Sequence, residues 1–346
     1  MENTELKNKQ NLDHMAAHID LFKCPRCGGA IVIGTGVITC LGCNARYGVD
    51  NGISLMYAPN NWDGKEDVTD EIKAFYENTP FPNYESMETS ADLIEKAEQG
   101  YFANLLNQQI PFSAKVLEVG CGTGQMTNYL AIANRYTFGV DICLNSLKLA
   151  TEFKNRNDLN RVGFYQMNLF RPIFKEESFH LVICNGVLHH TSDPAGGFKS
   201  IAKLVKKNGY IFIGLYNKYG RLITDIRRVL FNASHDKFKF LDPRLRHKAV
   251  GDIRKTSWFN DQYKNPHESK HTIGEALHWF DEAGFEFYYG VPSPKAFQKF
   301  KADDRIFKQH ERGSTLDHFI VQLNLVFTGS REGGFFILIG KRTGIA

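Results

Sequence analysis

The stretch Val116-Leu117-Glu118-Val119-Gly120-Cys121-Gly122-Thr123-Gly124-Gln125 decides the fold. Residues 115–119 read as a buried strand, and a helix is expected over 125–134. Three alternating glycines between them let the backbone turn sharply and let a ligand approach the main chain closely. A dinucleotide-binding G-x-G-x-x-G loop requires its third glycine at position 125, where Gln125 stands. An acid two residues before the first glycine also suits a cationic ligand better than a pyrophosphate. Asp141 closes the next apolar strand, about 20 residues on, the spacing at which an acid takes ribose hydroxyls.

Outward from this stretch, strand and helix alternate. Strands are expected near 115–119, 136–140, 162–166, 180–184, 210–215, 285–289 and 335–341. Helices are expected near 92–109, 125–134, 144–155, 194–207 and 272–283. The alternation predicts an α/β fold on a largely parallel sheet. Two intervals, 216–271 and 291–330, exceed an ordinary connection and read as insertions. Insertions near the carboxyl end of such a sheet are where function usually sits. Within the second, Leu316 to Phe327 is apolar enough for an added strand or an added helix.

With 346 residues the chain can build one large domain and a small one. A hydrophobic content of 42% and a charged content of 23% are ordinary for a soluble globular protein. No apolar run approaches the roughly 18 residues of a membrane helix. The start, Met1-Glu2-Asn3-Thr4-Glu5, lacks the apolar core of a signal peptide. A cytoplasmic protein with no membrane partner is therefore expected. The net charge of +4 is too mild to argue for nucleic acid. The chain divides into a polar tail (1–20), a cysteine-rich ribbon (21–57), a linker with an aromatic segment (58–91) and a main domain (92–346).

In the ribbon, Cys24-Pro25-Arg26-Cys27 and Cys40-Leu41-Gly42-Cys43 are two Cys-x-x-Cys knuckles. Each aims two sulfurs at one ion, and the pair suits tetrahedral zinc. Ile31-Val32-Ile33 and Val37-Ile38-Thr39 flank Gly34-Thr35-Gly36, a hairpin that brings the knuckles together. So small a segment lacks a core, and a structural Zn2+ would supply much of its folding free energy. A redox role is the competing reading. Four thiolates would leave no open position for catalysis at the metal. The other cysteines, Cys121, Cys143 and Cys184, are scattered near strand ends and read as small apolar filler.

The glycine loop with Glu118 before it and Asp141 after it resembles the cofactor site of class I S-adenosylmethionine (SAM)-dependent methyltransferases. That resemblance implies a Rossmann-like seven-stranded sheet with an antiparallel last strand. It implies SAM as cofactor, with Glu118 at the methionine end and Asp141 on the ribose. Gly120, Cys121, Gly122, Gly124, Gln125, Ile142, Asn168, Leu169 and Asn185 complete the implied cofactor set. Asn168 stands where family members often carry an aspartate to accept from the adenine amino group. Its amide carbonyl can accept the same bond. The ribbon resembles the N-terminal zinc ribbon of some rRNA guanine methyltransferases and the small zinc-ribbon activators of tRNA, rRNA and protein methyltransferases.

The stretch Asn185-Gly186-Val187-Leu188-His189-His190 resembles ubiquinone- and menaquinone-biosynthesis enzymes. His189 and His190 are candidate proton acceptors, since histidine titrates near neutrality. Capping the next helix, or contacting the cofactor, is the competing role for both. Tyr263 and His267 are further catalytic candidates, and Tyr216, Arg221, Glu268 and His271 are candidate substrate contacts. His267 and His271 are four apart, like metal ligands on a helix, but Pro266 favours a loop and no third ligand is evident. Residues 216–272 hold 13 Lys/Arg against 6 Asp/Glu, which suggests an anionic substrate or, alternatively, a solvated face. The aromatic run 75–84, broken by Pro80 and Pro82, reads either as a cover for the cofactor cleft or as a clamp on the core. The expected function is methyl transfer to a small anionic acceptor. An RNA methyltransferase gripping nucleic acid with ribbon and insertion is the alternative. A non-catalytic SAM-binding partner protein is the third reading.

Overall fold

Among the described residues of the computed structural model (11–62, 66–82, 84–85, 87–246, 251–301, 303–328 and 333–343) one mixed sheet organises the molecule. Its strands are β1 (Ile31–Ile33), β2 (Val37–Cys40), β3 (Arg46–Asp50), β4 (Ile53–Leu55), β5 (Lys115–Val119), β6 (Tyr136–Asp141), β7 (Val162–Gln166), β8 (Phe179–Asn185), β9 (Val205–Tyr216), β10 (Phe285–Val291) and β11 (Phe335–Arg342). The spatial order is β1-β2-β3-β4-β7-β6-β5-β8-β9-β11-β10. The run from β7 to β10 is the expected seven-stranded sheet, with β11 antiparallel between β9 and β10. β5 lies at its centre, with Val116 beside Thr137 of β6 and Leu181 of β8.

The ribbon is not a tethered appendage. β4 pairs in parallel with β7, Ser54 beside Tyr165, so the four ribbon strands extend the same sheet.

The helices are α1 (11–17), α2 (Thr69–Asn78), α3 (Ser90–Glu98), α4 (Tyr101–Gln109), α5 (Gln125–Ile132), α6 (Leu144–Arg156), α7 (Pro194–Ala202), α8 (Leu222–Ala233), α9 (Asp252–Phe259), α10 (Ile273–Glu282) and α11 (Thr315–Thr328). Strand alternation divides the core between the two faces of the sheet. Val116 packs with Leu105, Leu106 and Leu130 on one side. Leu117 and Val119 pack with Phe138, Phe198 and Leu277 on the other.

Several expectations are corrected. Residues 1–10 of the expected polar tail lie outside the described residues, and 11–17 are helical and docked. The Asn11 side chain donates to the Phe164 carbonyl at 2.7 Å and accepts from its N–H at 2.8 Å, acting as a short extra strand on β7. The single helix expected over 92–109 is two, α3 and α4, broken at Gly100. Thr89 begins α3 with a capping box in which its side chain accepts from the Asp92 N–H. The segment 194–207 is helical only to Ala202, and β9 starts at Val205. For 316–327, where strand and helix were both open, the structure has the helix α11.

Candidate active site

Glu118 emerges at the carboxyl end of β5, where α5 begins, and its Oε2 accepts a hydrogen bond from the Thr127 hydroxyl. No cation among the described residues pairs with it, and burial pushes its pKa up to about 7. Asp141 ends β6. Its Oδ2 accepts from the Gly122 N–H and its Oδ1 from the Cys143 N–H, both at 2.8 Å. Burial raises this carboxyl too. Asp141 therefore fixes the glycine loop while facing the same cleft as Glu118. Gly122 adopts φ +51°, and a Cβ there would run into the Phe81 carbonyl oxygen, so the position requires glycine.

The cleft at this end of the sheet has a volume of about 610 Å3. Glu118, Gly120, Cys121, Gly122, Gln125, Asp141, Ile142, Asn168, Leu169 and Asn185 all line it. Gly124 does not, because it turns the chain at φ +73° against Phe164. Two carboxylates, Glu118 buried and Asp141 half-buried, with no counter-cation among the described residues fit a ligand that brings a cationic amino group and hydroxyl donors. The Asn168 amide is partly committed to the protein. It donates to Ala58 O at 3.0 Å and Asn60 Oδ1 at 2.8 Å, and its Oδ1 accepts from the Phe170 N–H at 3.0 Å. One lone pair of that oxygen is left for a ligand.

Of the candidates on the substrate side, His190 and Tyr216 line the cleft and the others do not. His190 is buried, and its Nδ1–H donates to the His267 carbonyl at 2.8 Å. His189 is sealed in the core, with neither ring nitrogen bonded among the described residues. Burial, and then the charges of His190, Arg221 and His271, hold its pKa well below the histidine range, so the ring is neutral. Tyr263 is corrected to a structural residue: it packs on Phe231 and Phe259, and its hydroxyl donates to Asp242 at 2.7 Å. Arg221 and Glu268 form a buried ion pair, which Arg228 joins at 3.0 Å, so neither is free for substrate. The Arg221 guanidinium also lies 3.7 Å from the centre of the Tyr216 ring. His271 is held between Glu275 and Ser269, each at 2.8 Å, and packs on Trp279. His267 stays outside the cleft with its Nε2 3.2 Å from the Thr191 carbonyl, and its backbone positions His190.

The cleft also takes residues outside the candidate sets, the first of them from the aromatic run 75–84 that the sequence offered as a cover. Phe81 and Pro82 cover the glycine loop, and the Thr123 hydroxyl donates to the Pro82 carbonyl at 2.6 Å. Tyr84 stacks on Phe153 at 4.5 Å, so the aromatic run both covers the cleft and clamps the core. Glu77 of α2 accepts from the Leu144 and Asn145 N–H groups at 2.8 and 2.9 Å, capping α6. A π-helical turn, Asn260–Lys264, brings Asp261 and Gln262 to the cleft. Tyr76 donates to Asp261 at 2.8 Å. Lys96, Arg244 and Trp258 line the same space, with the Arg244 guanidinium 4.0 Å from the centre of the Trp258 ring. For Arg244, Trp258, Asp261 and Gln262 the one available signal was the excess of basic residues in 216–272.

At the other end of the sheet Cys24, Cys27, Cys40 and Cys43 converge, their sulfurs all within 4.8 Å of one another. Backbone N–H groups of Arg26, Gly29 and Gly42 point at the sulfurs from 3.3–3.4 Å.

Residues 117–213 match the family model of a methyltransferase domain. An uncharacterized protein of Synechococcus is 34% identical over 110 residues, covering 31% of this chain and 26% of that one. A ubiquinone biosynthesis O-methyltransferase of Nitrosomonas europaea is 30% identical over 146 residues, covering 39% of this chain and 60% of that one. The chain thus spans only part of the length of these relatives. The solved structure of PKMT2 from Rickettsia typhi, in complex with AdoHcy, aligns with a TM-score of 0.50 at 16% identity, covering 71% of this chain and 53% of that one. The central sheet order, the glycine loop between the carboxylates of Glu118 and Asp141 and the matched domain together mean that the chain carries a SAM-dependent methyltransferase domain of Rossmann-like fold, joined to an N-terminal four-cysteine module.

Proposed function

We propose that the chain transfers a methyl group from SAM to a small anionic acceptor. The observation that carries this reading is one cleft with two chemistries. Glu118 and Asp141 line it as carboxylates, and Lys96 and Arg244 line it as cations without a carboxylate partner among the described residues. The first pair suits the amino group and ribose of SAM, and the second suits an anion. A volume of about 610 Å3 falls in the usual range of small-molecule clefts. The name of the Nitrosomonas relative, an O-methyltransferase of ubiquinone biosynthesis, also supports a small acceptor.

When bound, SAM supplies an electrophilic methyl group on a sulfonium. The chain's own work is alignment and proton removal. Glu118 would hold the cationic amino end and Asp141 the ribose hydroxyls. Phe81 and Pro82 would exclude water above the glycine loop. His190 Nε2 would take the proton that the acceptor oxygen or nitrogen loses. Tyr216, Lys96 and Arg244 would orient the acceptor.

The four sulfurs would hold a structural Zn2+. A Zn–S bond of about 2.3 Å in a tetrahedron sets sulfurs about 3.8 Å apart. Cys24 and Cys43 lie 3.8 Å apart, and Cys27 and Cys40 lie 3.4 Å apart.

The RNA reading draws on the basic character of 216–272. Methyl-labelled SAM, incubated with the protein and a fractionated cell extract, separates the readings. Label in the small-molecule fraction is the expected result. Label in RNA would replace the acceptor class. SAM binding with no label in any fraction would leave a non-catalytic SAM-binding protein.

A further inference from the structure

We infer that residues 218–246 form a peripheral docking surface for an anionic lipid membrane. α8 is amphipathic, and its outer stripe is apolar: Leu222, Ile226 and Val229, at i, i+4 and i+7, stand exposed, Ile226 by 60% and Val229 by 69%. The chain that follows exposes Phe238, Phe240 and Leu241 as well. Isolated exposed apolar residues are ordinary, but a helical stripe followed by an aromatic cluster marks an interaction surface.

The charge around these side chains identifies the occupant. Lys218, Lys237, Lys239, Arg244 and Arg246 are exposed and have no carboxylate partner among the described residues. Every acid in 218–246 is already engaged. Asp225 pairs with Lys270 at 2.6 Å, and Asp236 pairs with Lys264 at 2.7 Å. Asp242 is buried under the Tyr263 hydroxyl at 2.7 Å. The surface therefore combines unopposed cations with protruding Leu, Ile, Val and Phe. That combination suits a bilayer interface, where cations meet anionic headgroups and apolar side chains enter the acyl boundary. A second copy would set cation against cation. Nucleic acid would leave the aliphatic stripe of α8 without use. No described helix is long and apolar enough to cross a membrane, so the contact is peripheral. Arg244 belongs both to this surface and to the lining of the cleft, so the cleft opens beside the bilayer.

The test uses the full chain and sedimentation with phosphatidylcholine vesicles, with and without phosphatidylglycerol. The protein is expected to pellet with the phosphatidylglycerol vesicles, to stay free with pure phosphatidylcholine, and to be released by salt. The exposed triple variant L222S/I226S/V229S should lose about tenfold in vesicle affinity, since each apolar side chain adds burial at the interface. Charge reversal in K237E/K239E should act in the same direction. S-adenosylhomocysteine binding by both variants, measured by calorimetry, reports that the fold is retained and does not depend on methyl transfer. Three results would overturn the inference: no pelleting of the wild type at low salt, pelleting that the triple variant leaves unchanged, or a wild-type dimer that the triple variant dissolves in analytical ultracentrifugation. The last would give the surface to a second copy. Tight RNA binding lost in K237E/K239E and kept in the triple variant, with no vesicle binding, would give it to nucleic acid.

Discussion

The Nδ1 of His190 lies 2.8 Å from the carbonyl oxygen of His267. A carbonyl only accepts, so Nδ1 carries the hydrogen and Nε2 holds the lone pair. Nε2 has no protein partner among the described residues, and the ring lines the cleft. The insertion thus sets the tautomer of a residue that follows β8. His190→Gln should lower methyl transfer by about 10²–10⁴-fold while leaving S-adenosylhomocysteine affinity unchanged. Burial lowers the His190 pKa from the usual 6.5, and in the proposed role of base the neutral ring is the form that acts. The rate should therefore climb as pH rises through that depressed pKa and stay level across neutrality. An acidic limb centred at or above 6.5 would remove His190 from the role of base.

Glu118 gives a pH dependence of opposite origin. Burial raises its pKa from 4.5 to about 7, so the folded protein without ligand holds a proton that the unfolded chain releases. The unfolded state gains charge first, and stability declines as pH rises from 4.5 toward 7, by about 3 kcal/mol in all. Glu118→Gln should flatten that decline in denaturant titrations and abolish SAM binding. A cationic ligand favours the carboxylate, so SAM binding near pH 7 should release a proton. Calorimetry in buffers of different ionisation enthalpy measures it.

Arg221 and Glu268 are both sealed from solvent. Burial alone would raise the Glu268 pKa, but the Arg221 and Arg228 guanidiniums outweigh it and hold it low. Removing one partner strands a buried charge, so Arg221→Met or Glu268→Gln should each cost about 3–5 kcal/mol in chemical denaturation. The double variant R221M/E268M should recover much of that loss. A substrate contact, by contrast, would raise KM with no change in stability.

The four-cysteine module, proposed to hold zinc, should report through the whole molecule, because β4 pairs in parallel with β7, Ser54 beside Tyr165. Chelation, or Cys43→Ser, should lower Tm in a single calorimetric transition and release bound zinc detectable by mass spectrometry. Two separate transitions would mean that the ribbon folds independently of the sheet.

The central sheet was legible because its signals are local. β5 to β9 are apolar runs, the glycine loop carries its own turn chemistry, and Asp141 ends a strand. The four cysteines were legible through their spacing. The acceptor side was not, because it is assembled at long range. Glu268 pairs with an arginine 47 positions away, and Tyr76 meets Asp261 across 185. No periodicity records such partners, so Arg221, Glu268 and Tyr263 read as free functional groups when each is committed to the fold. Docking of 11–17 was hidden in the same way: its anchor, Asn11, is polar and becomes buried only by pairing with the backbone of Phe164.

Lys96 and Arg244 give the last expectation its force. Burial first, then the charges of Arg254 and Arg244, lower the Lys96 pKa to about 8. Arg254 is tied to Glu85, which accepts from its backbone N–H at 3.2 Å. Lys96 has no such tie among the described residues, so an incoming anion would relieve the repulsion at the cleft wall. Lys96→Met and Arg244→Met should therefore each raise the acceptor KM by about tenfold, with kcat and SAM affinity little changed. Acceptor affinity should also weaken as pH rises past about 8, where Lys96 loses its proton, and the Lys96→Met enzyme should lack that limb. A neutral acceptor would leave KM untouched in both variants, and the pair of measurements separates an anionic substrate from a merely basic wall.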